Sequence, residues 1–251
     1  MKGDGNMKNL ENCIFFFLKF GKKEHIEALQ KGNIYMKNVK YFKELEKVSG
    51  KRGMGDKNEG SNIMNDVSVK LVSNDNRNQV IYGTSSIAEM SCKENYKRPI
   101  FCMSYVDIKN IKIKEKTSNK IKGTLFFTDE EKKEFIDNFG EYVLIIPPIY
   151  FLKAFKQSLD KKGLILCNGA VKYSDFSKND IDRIIDSMDF DEKVFFWKDS
   201  SFKNQKEYRI VILNKSVDDK FEINIGDMTK YSTLMGTEKF LNGNFKVIVN
   251  K

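Results

Sequence analysis

Cys13-Ile14-Phe15-Phe16-Phe17-Leu18-Lys19-Phe20-Gly21, followed by Lys22–Lys31, Gly32 and Ile34-Tyr35-Met36, is the stretch from which the fold is read. Cys13–Phe20 is a short aromatic and apolar run between a polar lead-in and a glycine, the pattern of a buried strand. Lys22–Lys31 carries Ile26 and Leu29 at helical spacing and stops at Gly32, the residue type best suited to a left-handed helix cap. Ile34–Met36 reads as a second strand. Val39–Lys47 reads as a short helix with Tyr41, Phe42 and Leu45 inward.

Farther along, helices and strands intersperse without the regular alternation of a doubly wound sheet, so the predicted class is α+β: a mixed, mostly antiparallel sheet with flanking helices. Residues 1–12 read as a flexible lead-in and 13–251 as one α+β domain. Residues 48–66, with four glycines, read as a long loop. Val67–Val72, Val80–Tyr82, Ile100–Val106, Ile108–Ile113 and Ile121–Phe127 read as an antiparallel meander. Thr128-Asp129-Glu130-Glu131 opens a helix with acidic residues at its positive end. Tyr142–Ile146 is a buried strand, and Pro147-Pro148 turns into the helix Ile149–Leu159. Asn168-Gly169 signals a hairpin between Leu164–Cys167 and Ala170–Tyr173. The helix Asn179–Met188 and strands at Lys193–Trp197, Glu207–Leu213, Phe221–Ile225 and Phe245–Val249 complete the reading.

The 251 residues carry 44 Lys and Arg against 35 Asp and Glu, a net charge of +9. Such a surplus favours nucleic acid, an acidic protein surface or a nucleotide, and it equally fits the Lys, Asn and Ile bias of an AT-rich genome. Four cysteines without a Cys-x-x-Cys pair and a single histidine, His25, leave no legible metal site and no disulfide framework. The longest early apolar run, Cys13–Leu18, is too short to span a bilayer, so a cytoplasmic protein with no membrane partner is expected.

Charges inside apolar strands need partners or a task, because burying one unpaired is costly. Lys19, Glu207 and Arg209 are such charges. Glu207 and Arg209 fall on one strand face with Tyr208 on the other, which fits both a structural ion pair and a working carboxylate. The loop Gly50–Gly60 lacks the spacing of a phosphate cradle. It offers Arg52 as an anion clamp and Asp56 and Glu59 as paired carboxylates, or it is a solvated charged loop. Asp56 and Glu59 are expected to approach the other charges only when a ligand is bound. Lys109–Lys122 carries six lysines against one glutamate, a pattern that could follow a phosphate backbone or guard an exposed sheet edge. Lys198, after Phe195-Phe196-Trp197, is the remaining conspicuous charge.

Lys19-Phe20, Gly32, Tyr41-Phe42 with Glu46, Gly55-Asp56-Lys57-Asn58-Glu59-Gly60, and Trp197-Lys198 leading to Glu207-Tyr208-Arg209 together resemble a broad group of uncharacterised bacterial and phage proteins. More distantly, an early strand and helix ending in glycine with a late strand-borne glutamate is similar to the ADP-ribosyltransferase superfamily. That resemblance implies an ADP-ribosyltransferase-like fold and NAD as cofactor. It implies Lys19 as the early positioning residue, Ser104 or Tyr105 in support, and Glu207 holding the ribose. Lys19 departs from the usual His or Arg there, and Lys lacks their planar donors.

The expectation is therefore a phage, mobile-element or defence-system protein with a cleft lined by Lys19, Arg52, Asp56, Glu59, Glu207 and Arg209. Glu207 and Lys19 would be catalytic, and Arg52, Asp56, Glu59, Ser104, Tyr105 and Arg209 would bind NAD or another nucleotide. The alternative is a non-enzymatic, anti-CRISPR-like inhibitor. It would bind a host or phage protein complex, or nucleic acid through Lys109–Lys122.

Overall fold

The computed structural model describes residue 10 and residues 13–49, 53–74, 79–188 and 192–250. In chain order, β1 (Phe16–Gly21) leads to α1 (Lys23–Gln30), β2 (Asn33–Asn38) and α2 (Val39–Ser49). β3 (Ser61–Val72), β4 (Val80–Ser91), β5 (Pro99–Val106), β6 (Ile111–Lys116), β7 (Lys120–Leu125) and α3 (Asp129–Asn138) follow. Next come β8 (Tyr142–Ile146), α4 (Pro148–Asp160), β9 (Leu166–Ala170), β10 (Lys172–Ser174) and α5 (Ile181–Met188). The chain closes with β11 (Trp197–Asp199), β12 (Glu207–Ile212), β13 (Lys220–Asn224), β14 (Thr233–Gly236), α6 (Thr237–Leu241) and β15 (Lys246–Asn250). The class is α+β, mostly antiparallel sheet with flanking helices.

Local chemistry accounts for the helix ends. Gly32 has φ +91, and a Cβ there would stand 2.2 Å from the Gly226 carbonyl oxygen, so the α1 stop needs glycine on both counts. At α3, Thr128 Oγ1 accepts the Glu131 N–H at 3.2 Å while a Glu131 carboxylate oxygen accepts the Thr128 N–H at 2.9 Å. This is a reciprocal cap, worth about 1 kcal/mol. Pro148 opens α4, which buries Phe151, Phe155 and Leu159.

The central sheet is organised around β5. On one edge β5 pairs with β12, which pairs with β9. On the other edge two strands share it. β2 meets Pro99 and Ile100, whereas β1 meets Ser104, Tyr105 and Val106. β13 extends beyond β2, and β8 and β14 extend beyond β1. Among the described residues, Phe101, Cys102 and Met103 thus have no strand beside them on that edge, and the sheet is split between β1 and β2.

One face of the sheet forms the main core, with Phe17, Phe101, Met103, Tyr208 and Ile210 packed under α1 and α4. The opposite face has two apolar ends. Val106, Leu18, Phe20 and Val143 meet Phe135 of α3 and Phe240 of α6 at one end. Val211, Ile100 and Val39 meet Val194 and Phe195 at the other. Ser104, Glu207 and Arg209 lie along the strands between them.

Several expectations are corrected. The predicted meander is divided among three sheets: β5 is central, β3 and β4 pair only with each other among the described residues, and β6 and β7 join β15. Alternation in sequence identifies strands but not their partners. Asn168-Gly169 is no hairpin turn. It lies inside β9, where Gly169 faces Arg209 across the pairing with β12, and its φ is not positive. The long loop ends early, because β3 already begins at Ser61. β14 and α6 are elements that the sequence pattern does not predict. Among the described residues, no helix is long and apolar enough to cross a membrane.

Candidate functional site

Every residue of β12 is buried. Tyr208, Ile210 and Ile212 enter the main core, so strand alternation sends Glu207 and Arg209 to the opposite face. The wholly buried Arg209 guanidinium meets Glu59 in a two-pronged pair, at 2.7 Å from Nη1 and 2.8 Å from Nη2. Its Nε donates to Glu207 at 2.8 Å, and Nη1 also donates to the Phe195 carbonyl. The Lys198 ammonium, 3% exposed, donates to Glu207 and to Gln205 Oε1, both at 3.0 Å. The backbone N–H of Glu207 donates to the Tyr173 hydroxyl at 2.8 Å. Two carboxylates and two cations thus neutralise one another in a water-poor place, the condition under which buried charges are tolerated.

The glycine-rich loop reaches this cluster because its backbone hugs α2. A Cβ on Gly55 would stand 2.4 Å from the Glu46 backbone nitrogen, so only glycine fits. The Asp56 N–H donates to the Phe42 carbonyl at 3.1 Å, and the Lys57 N–H donates to the Glu46 carboxylate at 2.9 Å. Gln205 Nε2 fixes the start of the described loop through the Gly53 carbonyl at 2.7 Å. Asp56 and Glu59 are 3% and 4% exposed with no ligand present, which overturns the expectation that they approach only with one. The Gly-Asp-x-x-Glu-Gly motif is a tether that delivers Glu59 to Arg209.

The electrostatics follow from this geometry. Burial alone would raise the Glu207 carboxyl, but Arg209 and Lys198 override it and hold it well below the usual carboxylate range. Glu207 is therefore a fixed negative charge and no proton donor. Burial raises Glu59 to about 7, with Asp56 adding to the rise and Arg209 opposing it. Burial also raises Asp56 and lowers Lys19. The Cys102 thiol beside Glu207 is pushed well up by burial, which leaves it a poor nucleophile.

Two cavities meet at the split in the sheet. The larger, about 890 Å³, lies between β1 and β2 and is lined by Lys19, His25, Tyr35, Lys37, Tyr41, Phe101 and Cys102 among others. The smaller, about 220 Å³, reaches Glu207, Glu59, Lys198, Gln205 and Ser104. Lys19, Phe20, Tyr41, Phe42 and Cys102 border both. Lys19 acts as a gatepost at the split. Its ammonium donates to the Cys102 carbonyl at 2.6 Å and sits 4.7 Å from the Phe101 ring centre. The carbonyl oxygens of Arg98 and Val106 accept N–H groups from Val39 and Phe15. The even-numbered carbonyls of β5 therefore point to this edge, and Lys19 occupies the place of the missing strand donor.

The predicted site is partly assembled. Glu207, Glu59, Ser104 and Lys19 border one cavity, and Asp56 lies within electrostatic reach of Lys198 and Arg209. Lys19 does not pair directly with Glu207, whose cations are Arg209 and Lys198. Arg209 cannot hold a cofactor as expected, because its donors are engaged with Glu59, Glu207 and Phe195. Tyr105 is also misplaced: alternation along β5 turns it to the main core, opposite Ser104. Arg52 lies outside the described residues. The expected site lacks Lys198, although a lysine among Phe196, Trp197 and Phe202 signals a buried cation. The expected site also lacks Gln205, Tyr173 and Cys102, which lie against Lys198 and Glu207. His25 is exposed at the larger cavity. Compared with family models, curated proteins and solved structures, the chain matches none.

Proposed function

We propose that the chain is a cytoplasmic protein of a phage, mobile element or defence system whose cleft binds NAD or a related nucleotide. In this reading it acts on the ribose bond as an ADP-ribosyltransferase-like enzyme. The observation that carries the reading is Glu207, ion-paired with Arg209 and Lys198, bordering a small cavity that shares Lys19 with a larger one of nucleotide size. The bond between ribose C1′ and the nicotinamide nitrogen breaks, and its electron pair leaves on nicotinamide. The positive charge that develops at C1′ faces the Glu207 carboxylate. An acceptor oxygen or nitrogen then bonds to C1′ and releases its proton. Because Arg209 and Lys198 fix Glu207 in place, its charge needs no rearrangement during the step, the arrangement that makes electrostatic stabilisation effective.

The test is NAD binding by calorimetry together with turnover of wild-type chain and Glu207→Gln, each beside its melting temperature. Turnover falling about 100-fold or more in a folded variant that still binds supports the reading. Absence of NAD binding and turnover in the wild type sinks it.

A second reading is favoured by one observation: the outward face of the β15–β7–β6 sheet, where Lys112, Lys120, Lys122 and Lys246 occupy the same side of the register. Here the protein is a non-enzymatic inhibitor whose lysines bind nucleic acid or a nucleic-acid-targeting complex, and the buried ion cluster is structural. Binding of this kind weakens steeply with salt as counterions are released, so retention at high salt argues against it.

A further inference from the structure

The two carboxylates that border the smaller cavity, Glu207 and Glu59, differ in how much of their hydrogen-bonding capacity is filled. Glu207 accepts three N–H bonds, from Arg209 Nε at 2.8 Å, Lys198 Nζ at 3.0 Å and Arg209 Nη2 at 3.3 Å, and the Cys102 thiol is a fourth donor. An ionised carboxylate offers about four lone-pair sites, so Glu207 is saturated. Among the described residues Glu59 accepts only from Arg209, at 2.7 and 2.8 Å. About two of its sites stay open. A buried acceptor with open sites beside a cavity is placed to take a donor that enters it.

Glu59 is also held firmly in place. Gly60, next in the chain, has φ +66, and a Cβ there would stand 2.9 Å from the Val39 side chain, so the backbone that delivers Glu59 has little freedom. The charged groups that face Glu59 are Arg209 and Glu207 on β12, Lys198 on β11 and Asp56 on its own loop. One guanidinium therefore holds two carboxylates whose surroundings push them apart. Burial raises Glu59 to about 7, with Asp56 and Glu207 adding to the rise and Arg209 and Lys198 opposing it, whereas Arg209 and Lys198 override burial at Glu207 and keep it ionised. Two carboxylates shifted in opposite directions within one site are the pattern by which charge stabilisation and proton transfer are divided between them.

We propose that Glu59 is the base of the cleft, taking the proton of the acceptor that bonds to ribose C1′ while Glu207 remains the fixed charge. This rests on the NAD reading above and adds the destination of the proton. With water as acceptor, nicotinamide leaves with the electron pair of its bond to C1′, and a lone pair of the water oxygen bonds to C1′ as one O–H bond breaks. The proton lands on an open site of Glu59. The positive charge that the nicotinamide ring carries in NAD thus ends as the proton on Glu59, from which bulk water removes it. Glu207 is unsuited to the role because its sites are filled. A base works best when its affinity for the proton matches the operating pH, which favours Glu59 over an ordinary carboxylate.

NAD hydrolysis by wild type, Glu59→Gln and Glu207→Gln, followed from about pH 5 to 9 with and without sodium azide and beside each melting temperature, tests this. Wild-type kcat should rise with pH to a plateau, with its midpoint at about 7. Glu59→Gln should lose that rise and about 100-fold in kcat. Azide is a nucleophile with no proton to surrender, so it should restore about tenfold or more to Glu59→Gln and leave Glu207→Gln low. The wild-type profile needs no variant, so misfolding of Glu59→Gln does not remove the test. A wild-type profile flat through neutrality, full activity in Glu59→Gln, or a folded Glu59→Gln whose loss azide leaves unchanged overturns the proposal with the NAD reading intact. Absence of NAD cleavage by wild type at every pH overturns both.

Discussion

Arg209 and Arg183 are both buried arginines, 0% and 1% exposed, yet their surroundings differ in kind. Arg209 lies between two carboxylates, and its forked donors match Glu59 in geometry and charge. Among the described residues Arg183 makes no direct ion pair, and Asp180, Asp199 and Asp175 act on its charge from farther away. Nη2 reaches the backbone carbonyls of Ile63 and Lys178, the Phe176 ring covers the guanidinium, and Nε and Nη1 have no hydrogen-bond partner among the described residues. The first arginine belongs to a balanced charge cluster beside a cavity. The second fastens a helix and a ribbon whose outer surfaces are bare. Buried charge thus has two uses here: charge in direct ion pairs shapes the electrostatics of the cleft, and charge held chiefly by backbone carbonyls fixes the orientation of α5.

The comparison can be broken by substitution. Arg209→Met leaves Glu59 and Glu207 buried against one remaining cation, and chemical denaturation should show a loss of about 3–5 kcal/mol. Arg183→Met removes hydrogen bonds to carbonyls but also two donors that lack partners among the described residues. Its loss should be smaller, about 1–2 kcal/mol. Equal losses would mean that the carboxylates around Arg209 contribute little beyond its burial.

A pH series sharpens the same contrast. Glu59, raised to about 7 when folded, keeps a proton that the unfolded chain has already released above its ordinary value of 4.5. Its contribution to stability therefore falls as pH rises through that window. Glu207, held low, contributes the opposite way: its stabilisation is present above 4.5 and is lost as pH drops below it. Melting temperature against pH should lose its decline between about 4.5 and 7 in Glu59→Gln. An unchanged profile would show that Glu59 is ionised throughout. The smallest effect is expected at the exposed pair of Lys122 and Glu115, 2.6 Å apart. Lys122→Ala should shift stability by less than about 1 kcal/mol.

The legible parts of the site were those where one residue type contradicts its local pattern. Glu207 and Arg209 stand out in an apolar strand, and Lys19 stands out between Leu18 and Phe20. Gly55, Asp56, Glu59 and Gly60 form a motif whose two glycines announce an unusual backbone. Their partners were not legible. Arg209 meets Glu59 across 150 residues, and the separation of Ser104 from Tyr105 depends on which face of β5 each one takes.

Sequence by itself determined the α+β class, the principal strands of the central sheet and the helices from α1 to α5, the Gly32 stop, the Thr128 cap and the identity of the charges needing compensation. These follow from local sterics, side-chain periodicity and the cost of burying charge, all of which act over a few residues. Tertiary structure alone decided that Asn168-Gly169 continues a strand, that β1 and β2 part along β5 to open the cavities, and that α5 faces outward. Each of those outcomes depends on a neighbour distant in sequence: β12 for β9, the shared edge of β5 for the split, and the Ile63 carbonyl for Arg183.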